Sequence, residues 1–237
     1  GVGKTTLVTH VYKTVKKSFG GCAWITVSQI WERDQLLRKM LKALHREDQN
    51  GINIDGIETK DFLSLVPIIQ IYLHNKRYLL IIDDVWTPDV WRLIRGILPE
   101  GTAARIILTT RNQDVALLAT EQQIMKINPL GKHHSWDLFC KTAFKKNSTN
   151  TCPEELTVWA KKIVGRCGGL PLAILAIGGV MVCKEQTERE WKRMWEDLEH
   201  ELAHNPNIEY ISRILQLSFA DLSSNLKNCF LYCALFP

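Results

Sequence analysis

The sequence lacks the features that mark membrane proteins, disulfide-rich secreted proteins and nucleic-acid-binding tails. No apolar run reaches the roughly 20 residues that span a bilayer, and no signal peptide is visible. Lys and Arg number 30 against 25 Asp and Glu, without a block of about five like charges, so solvated faces explain the basic clusters. The 7 cysteines lie mostly in apolar segments, which favours buried thiols in a reducing compartment. We therefore expect a cytoplasmic protein with no nucleic-acid partner, in which only regions outside this chain supply any membrane association.

The 237 residues, 46% of them hydrophobic, are enough for one large domain or about two to three small ones. Up to Pro129, apolar strands alternate with amphipathic helices, which predicts an α/β fold with a parallel sheet and right-handed crossovers. Beyond Pro129 only helical periodicity remains, which indicates a helical bundle and a domain boundary. The stretch Asn205-Pro206-Asn207 marks a second break.

Periodicity also predicts the individual elements. The expected strands are residues 22–28, 77–83 and 104–110, with a further short strand at 124–127. The expected helices are residues 4–17, 34–45, 59–74, 135–145, 153–167, 171–182, 187–204, 208–220 and 225–232. We expect Asp34 to cap the second helix, and the apolar face of the first helix to consist of Leu7, Val8, Val11 and Val15.

The chain opens with Gly1-Val2-Gly3-Lys4-Thr5-Thr6, which matches the second half of the phosphate-binding loop G-x-x-x-x-G-K-[ST]. Glycine lets backbone N–H groups close around phosphate oxygens, and the following helix points its positive end at them. Lys4 places a compact cation on the outer phosphates, and the Thr5 hydroxyl is a hard oxygen ligand for Mg²⁺. The first loop glycine and the strand before it would precede residue 1, so we interpret the chain as a fragment. The alternative is a helix that begins with two glycines and binds nothing.

Three charged residues follow predicted strands. Asp83 and Asp84 end one apolar strand, and Arg111 ends the next. Ligands of open parallel sheets bind at the carboxyl ends of the strands, so these residues are expected beside the phosphate loop. There Asp83 would hold Mg²⁺, Asp84 would orient or activate a water, and Arg111 would contact the outermost phosphate. Taken singly, the two acids could be a strand-end turn and Arg111 a surface charge.

Six stretches in order resemble the motifs of NB-ARC domains from plant disease-resistance proteins of the nucleotide-binding, leucine-rich-repeat type. They are Gly1–Thr6, Phe19–Gln29, Lys76–Trp86, Ala104–Asn112, Gly168–Ala173 and Cys229–Pro237. Together they extend over essentially the whole chain. The tryptophan that closes the third of these motifs, Trp86, resembles the coiled-coil subclass of this family more than the TIR-bearing subclass. Gly168–Ala173 would on its own be an ordinary helix junction, with glycine ending one helix and proline opening the next.

The resemblance implies a P-loop NTPase sheet at residues 1–128, a helical subdomain at 129–204 and the start of a winged-helix subdomain at 205–237. It implies a switch that rests with ADP, opens with ATP and Mg²⁺, hydrolyses ATP slowly at most, and assembles into an oligomer for plant defence signalling and the hypersensitive response. The implied partners are an N-terminal signalling domain and leucine-rich repeats outside this chain.

The resemblance also implies roles for single residues. The phosphate-loop residues Gly1 to Thr6 would hold phosphates, and Thr5 and Asp83 would serve Mg²⁺. Asp84 would support hydrolysis, Arg111 would contact the γ-phosphate, and Pro171 would pack against the adenosine. Two other functions stay open. One is a turnover P-loop NTPase or kinase, which the adjacent acids Asp83 and Asp84 would suit. The other is a DNA-binding regulator that uses the winged helix.

Overall fold

The structure is a computed structural model, and it describes residues 1–48, 51–99, 104–119, 123–147, 149–204, 215–216, 219–220 and 222–233. The chain divides into two compact units. One comprises Lys4–Lys126 and contains the sheet; the other comprises Gly1–Gly3 with Ile127–Pro237 and is helical. We call them the sheet unit and the helical unit. Among the described residues, no helix is long and apolar enough to cross a membrane.

The sheet unit is built on three parallel strands in the order β1-β2-β3. They are β1 (Gly21–Thr26), β2 (Tyr78–Val85) and β3 (Arg105–Thr110). β2 is central and buried along nearly its whole length, which is why it reads as a continuous apolar run. The predicted α/β class and its three main strands are therefore confirmed.

Among the described residues of this unit, the helices that connect and cover the strands are α1 (Lys4–Val15), α2 (Arg33–Glu47), α3 (Phe62–Leu73), α4 (Pro88–Ile97) and α5 (Gln113–Ala116). Short 3-10 turns lie at Lys16–Ser18 and Ile57–Thr59. The larger core joins α2, α3 and α4 to one face of the sheet, through Leu80 and Ile82 of β2. A smaller cluster joins α1 to Leu79 and Ile81 of the same strand. The sheet is thus covered on both faces, as crossover connections require.

The apolar face predicted for α1 is partly wrong. Val8 and Val15 pack against the smaller cluster, but Leu7 and Val11 are 42% and 36% exposed. Tyr12 is instead the buried residue of this helix, and its ring meets Trp24 of β1 edge-on at 5.6 Å. Hydrophobicity alone did not reveal that an aromatic side chain with a polar tip would occupy the centre of the face.

Two other predictions are also wrong. The N-cap position of α2 is occupied by Glu32 and not by Asp34. Asp34 lies inside the first turn, where the positive end of the helix dipole stabilises an acid, and its carboxylate is 3.8 Å from the Arg38 guanidinium. In the part of the chain that the structure describes, residues 124–127 form no strand, and Met125 is 76% exposed. A strand needs a neighbour to satisfy its backbone, which a short apolar run cannot indicate.

The helical unit contains α6 (Lys132–Ala143), α7 (Thr157–Arg166), α8 (Pro171–Met181), α9 (Glu188–His204) and α10 (Ser224–Cys233), with a 3-10 turn at Glu154–Leu156. Its core includes the ring of Trp191, which stacks on the Phe144 ring with 5.3 Å between the ring centroids. The Trp191 ring also meets the Phe139 ring edge-on, with 6.1 Å between the centroids. Helical periodicity beyond Pro129 is confirmed. The break predicted at 205–207 lies outside the described residues, as does most of the helix predicted at 208–220, of which residues 215, 216, 219 and 220 are described.

The cysteines divide between core and surface. Cys22, Cys140 and Cys167 are buried, whereas Cys183, Cys229 and Cys233 are exposed. Burial raises the pKa of the Cys167 thiol to about 12. The expectation of mostly buried thiols therefore holds for the three buried cysteines, only in part for the half-buried Cys152, and fails for the three exposed ones.

Candidate nucleotide site

Two residues predicted to hold a metal ion touch each other at the carboxyl end of the sheet. Thr5, in the first turn of α1, donates its hydroxyl to both carboxylate oxygens of Asp83, at 2.9 and 3.2 Å. Asp83 lies near the end of β2 and is buried, with only 4% of its surface exposed. A hydroxyl and a carboxylate are hard oxygen donors, and Mg²⁺ binds through few protein groups while keeping several waters. The donor set fits Mg²⁺.

Asp84 has a backbone conformation that differs from that of a regular strand. Its φ is 57°, in the left-handed region that non-glycine residues visit rarely and Asp more often than most. Its carboxylate lies 3.8 Å from Nε of Arg111, and the Arg111 guanidinium lies 5.4 Å from the centre of the Trp86 ring. Strain of this kind concentrates at functional sites. The 3.8 Å distance shows that the structure brings Asp84 and Arg111 together at the ends of β2 and β3.

A cavity of about 230 Å³ opens at this point. Its lining residues all come from the ends of the two strands: Asp84, Val85, Trp86, Arg111 and Asn112. Arg111 is 66% exposed, so its pairing with Asp84 is a weak surface interaction that a ligand can replace.

Sequence reasoning missed three polar residues that organise these strand ends. The Thr109 hydroxyl contacts Asp83 and the backbone of Asp84. The Thr110 hydroxyl donates to the Val85 carbonyl at 2.7 Å, and the Asn112 amide donates to the Trp86 carbonyl at 3.0 Å. The signal that could have found them is the pair of threonines that ends β3, with an asparagine two residues later.

The phosphate-loop residues lie where α1 begins. Gly3 has a φ of 93°, which favours glycine, and Lys4 is the first residue of the helix. Thr5 and Thr6 are exposed and line a surface depression of about 380 Å³ with Thr9, His10 and Lys13. The helix start thus offers backbone N–H groups, a cation and two hydroxyls in one turn, a suitable environment for an anion.

The stretch Gly168 to Pro171 forms a tight junction in the helical unit. Gly168 and Gly169 have φ values of 56° and 71°, and the Leu130 N–H donates to the Gly169 carbonyl at 2.7 Å. A Cβ at Gly169 would collide with the Leu130 backbone oxygen, so only glycine fits there. Pro171 then opens α8 at its first position, where its missing N–H costs nothing.

The same unit places the start of α8 beside the first glycines of the chain. The Leu172 N–H donates to the Gly1 carbonyl at 3.4 Å, which engages one of the N–H groups that a helix start leaves without an intrahelical partner. A Cβ built on Gly3 would lie 4.0 Å from Cγ of Pro171, an ordinary van der Waals distance. Pro171 therefore neighbours the phosphate-loop glycines.

Residues 1–149 match the model of the NB-ARC domain. The chain belongs to the NB-ARC family. All of this NB-ARC chain aligns with the disease resistance protein RPM1 of Arabidopsis thaliana at 36% identity, and with the disease resistance RPP13-like protein 4 of the same plant at 36%. It covers 26% and 28% of those proteins, so it spans about a quarter of the length of the curated relatives that it matches.

The NB-ARC chain is also similar to a solved structure. It superposes on a chain from a structure of Drosophila ORC bound to DNA with a TM-score of 0.48 and 12% sequence identity, over 96% of this chain and 76% of that one. Membership of the NB-ARC family, together with the disease-resistance relatives, confirms the resemblance drawn from the motifs and implies that the domain binds nucleotide. The roles of single site residues stay predictions.

Proposed function

We propose that this NB-ARC domain binds ADP and ATP with Mg²⁺ and is the nucleotide-dependent switch of a plant intracellular immune receptor. The observation that carries the proposal is the contact between Thr5 and Asp83, because it joins the phosphate-loop helix to the acid at the end of the central strand. Thr5 and Asp83 are 78 residues apart in the sequence, and a phosphate-bound Mg²⁺ needs ligands from both elements.

The residues of the site divide the work as follows. The N-terminus of α1 and Lys4 attract the phosphates, since both carry positive charge. Thr5 and Asp83 would hold Mg²⁺, which neutralises phosphate charge when bound. Arg111, exposed and weakly paired with Asp84, is available to exchange that partner for the outermost phosphate. Asp84 is then released to orient a water. Pro171, beside the first glycines, would cover the nucleoside.

The switch itself involves parts of the protein beyond this domain. The family relatives are disease resistance proteins about four times as long as the chain, which supports an origin in a multidomain receptor. The domain rests with ADP, exchanges it for ATP, and then permits oligomer assembly and signalling through an N-terminal domain. Leucine-rich repeats outside this chain are the second expected partner. A slow ATPase is sufficient for this role.

Equilibrium titration of the full-length protein with ADP and ATP, with and without Mg²⁺, tests the proposal. We expect Lys4→Ala to weaken binding at least about tenfold, since it removes a charged contact to phosphate. The matched control is Lys17→Ala, which removes an exposed lysine from the turn after α1 and should leave affinity unchanged. Equal affinity in wild type and Lys4→Ala would contradict the phosphate cradle.

The rate of phosphate release separates the switch from the turnover enzyme. A steady-state rate near or above about one per second, the usual enzyme range, would favour a turnover NTPase or kinase. A rate far below that supports a switch. Salt-dependent retention on DNA would instead support the regulator that binds DNA.

A further inference from the structure

The alternation of side chains along β2 changes at Asp84. Up to Ile82, odd-numbered side chains pack toward α1 and even-numbered ones toward the larger core: Leu79 and Ile81 on one side, Leu80 and Ile82 on the other. Asp83 follows this rule, since it contacts Thr5 of α1. Val85 breaks it, because it lies in the larger core although its number is odd. Side chains alternate strictly in a regular strand, so one residue has been inserted.

The pairing between β2 and β3 identifies the inserted residue. Ile82 is opposite Leu108 and Val85 is opposite Thr110, so the two acids between them share the single residue Thr109. This is a β-bulge, and the left-handed φ of 57° places its extra residue at Asp84. Without the bulge, Asp84 would follow the even-numbered set toward the larger core. With it, the carboxylate lies within 3.8 Å of Arg111.

One hydroxyl holds both halves of the bulge. The Thr109 hydroxyl donates to Oδ1 of Asp83 at 2.6 Å and accepts the backbone N–H of Asp84 at 2.9 Å. A threonine hydroxyl has one proton to give and lone pairs to accept, so both functions are used at once. Thr109 is buried, with 4% of its surface exposed, and water has little access to replace either bond.

We propose that Thr109 is a positioning residue of the nucleotide site. Its hydroxyl fixes the Asp83 carboxylate toward Thr5 and stabilises the bulge that turns Asp84 toward the Arg111 cavity. This inference rests on the proposed function, since it assigns the two acids to Mg²⁺ and to water. Loss of the hydroxyl leaves Asp83 with one donor fewer and the Asp84 amide without its partner.

The test compares Thr109→Val, which keeps the shape and removes the hydroxyl, with Thr109→Ser, which restores it. The first measurement is amide hydrogen exchange of Asp84 in the nucleotide-free full-length protein. We expect exchange to rise at least about tenfold in Thr109→Val, the scale of a lost buried hydrogen bond, and to stay near wild type in Thr109→Ser. Tyr72→Phe is the control for a general weakening of the sheet unit, because it removes a hydroxyl that bonds Asp48 at 2.9 Å and contacts neither acid of the site.

The second measurement is the Mg²⁺ dependence of ATP affinity. Thr109→Val should need at least about tenfold more Mg²⁺ for half-maximal enhancement, while affinity without Mg²⁺ stays near wild type. Thr109→Ser should restore the dependence. A general weakening of the sheet unit would instead move both affinities and would appear in Tyr72→Phe as well. If Thr109→Val does not fold, Thr109→Cys, of similar size with a weaker donor, should give a smaller shift in the same direction.

The outcomes separate this inference from the proposed function. One outcome is that wild type binds nucleotide while Thr109→Val matches it in both amide exchange and Mg²⁺ dependence. That result, or the same result for Thr109→Cys where that variant is used, would overturn the positioning role and leave the proposed function standing. Equal losses in Tyr72→Phe would also overturn it. If wild type binds no nucleotide under any condition, the proposed function is removed, and the role of Thr109 at that site goes with it.

Discussion

Tyr72 donates a hydrogen bond of 2.9 Å from its hydroxyl to Asp48, just beyond the end of α2. The preceding residue, Glu47, accepts a bond of 3.2 Å from Tyr12 of α1. Tyr72 lies in the core on one face of the sheet and Tyr12 in the cluster on the other. Two consecutive acids therefore tie the end of α2 to helices on both faces, around the edge strand β1.

We expect Tyr72→Phe to destabilise the sheet unit by about 1 kcal/mol near neutral pH and by less in acid. The bond from Tyr72 holds the pKa of Asp48 below its ordinary value. A lowered carboxyl pKa stabilises the fold above the ordinary value, and this stabilisation is lost as pH falls through the lowered one. Burial and the bond to Asp48 raise the pKa of Tyr72, so the stabilisation is also lost as pH rises above about 10.

Urea unfolding of wild type and Tyr72→Phe between pH 3 and pH 7 measures this difference. Asp48→Asn is the control, because it removes the titrating carboxylate from the same bond. A difference between wild type and Tyr72→Phe that stays constant across this range would show that the bond to Asp48 is not its source.

Trp191 is fully buried, and its indole N–H has no partner among the described residues. Trp191→Phe should cost less than about 2 kcal/mol, because it removes an unpaired donor while keeping an aromatic ring against Phe144. Trp191→Ala should cost about 3–5 kcal/mol, since it leaves a cavity at the centre of the helical unit. Denaturant unfolding followed by circular dichroism measures both. Similar costs for the two variants would show that the indole N–H is paired or that the stack matters little.

Two neighbouring glycines of α8 should respond to alanine with opposite signs. A Cβ at Gly178 would lie 2.9 Å from Cβ and Cγ2 of Thr142 in α6, so Gly178→Ala forces the helices apart and should cost about 1–3 kcal/mol. A Cβ at Gly179 meets nothing within 4 Å, so Gly179→Ala should stabilise by about 0.5–1 kcal/mol through helix propensity. Thermal unfolding of both variants checks the pair, and a stabilised Gly178→Ala would refute the close approach.

The sequence predicted the elements better than the details at their ends. β2 was recognisable because a strand covered on both faces must be apolar throughout. The bulge at Asp84 was not recognisable, because two acids at the end of a strand do not indicate the φ of Asp84 or which residue of β3 lies opposite it. Glu32 and Asp34 are both acids near the start of α2, and only the backbone conformation decides which of them occupies the N-cap position.

The candidate site shows the same division. Phosphate-loop and strand-end residues were predictable, since their types follow from phosphate and Mg²⁺ chemistry. Thr109 was missed, because a threonine at the end of a strand usually reports β propensity alone. The role proposed for it comes from hydrogen bonds to Asp83 and Asp84, 26 and 25 positions away, which only the fold reveals.

Asp84→Ala should slow ATP hydrolysis by about a hundredfold or more, the range for removing a residue that acts on the attacking water, while ADP affinity changes little. The reason is geometric, because the bulge aims Asp84 at the Arg111 cavity and leaves the contact with Thr5 to Asp83. Single-turnover hydrolysis and ADP titration on the same preparation measure the two effects separately. Asp83→Ala is the comparison, and it should lose the Mg²⁺ enhancement of binding as well as hydrolysis. If Asp84→Ala lost binding and hydrolysis in equal proportion, both acids would serve the metal or the fold, and the division of roles at the bulge would be wrong.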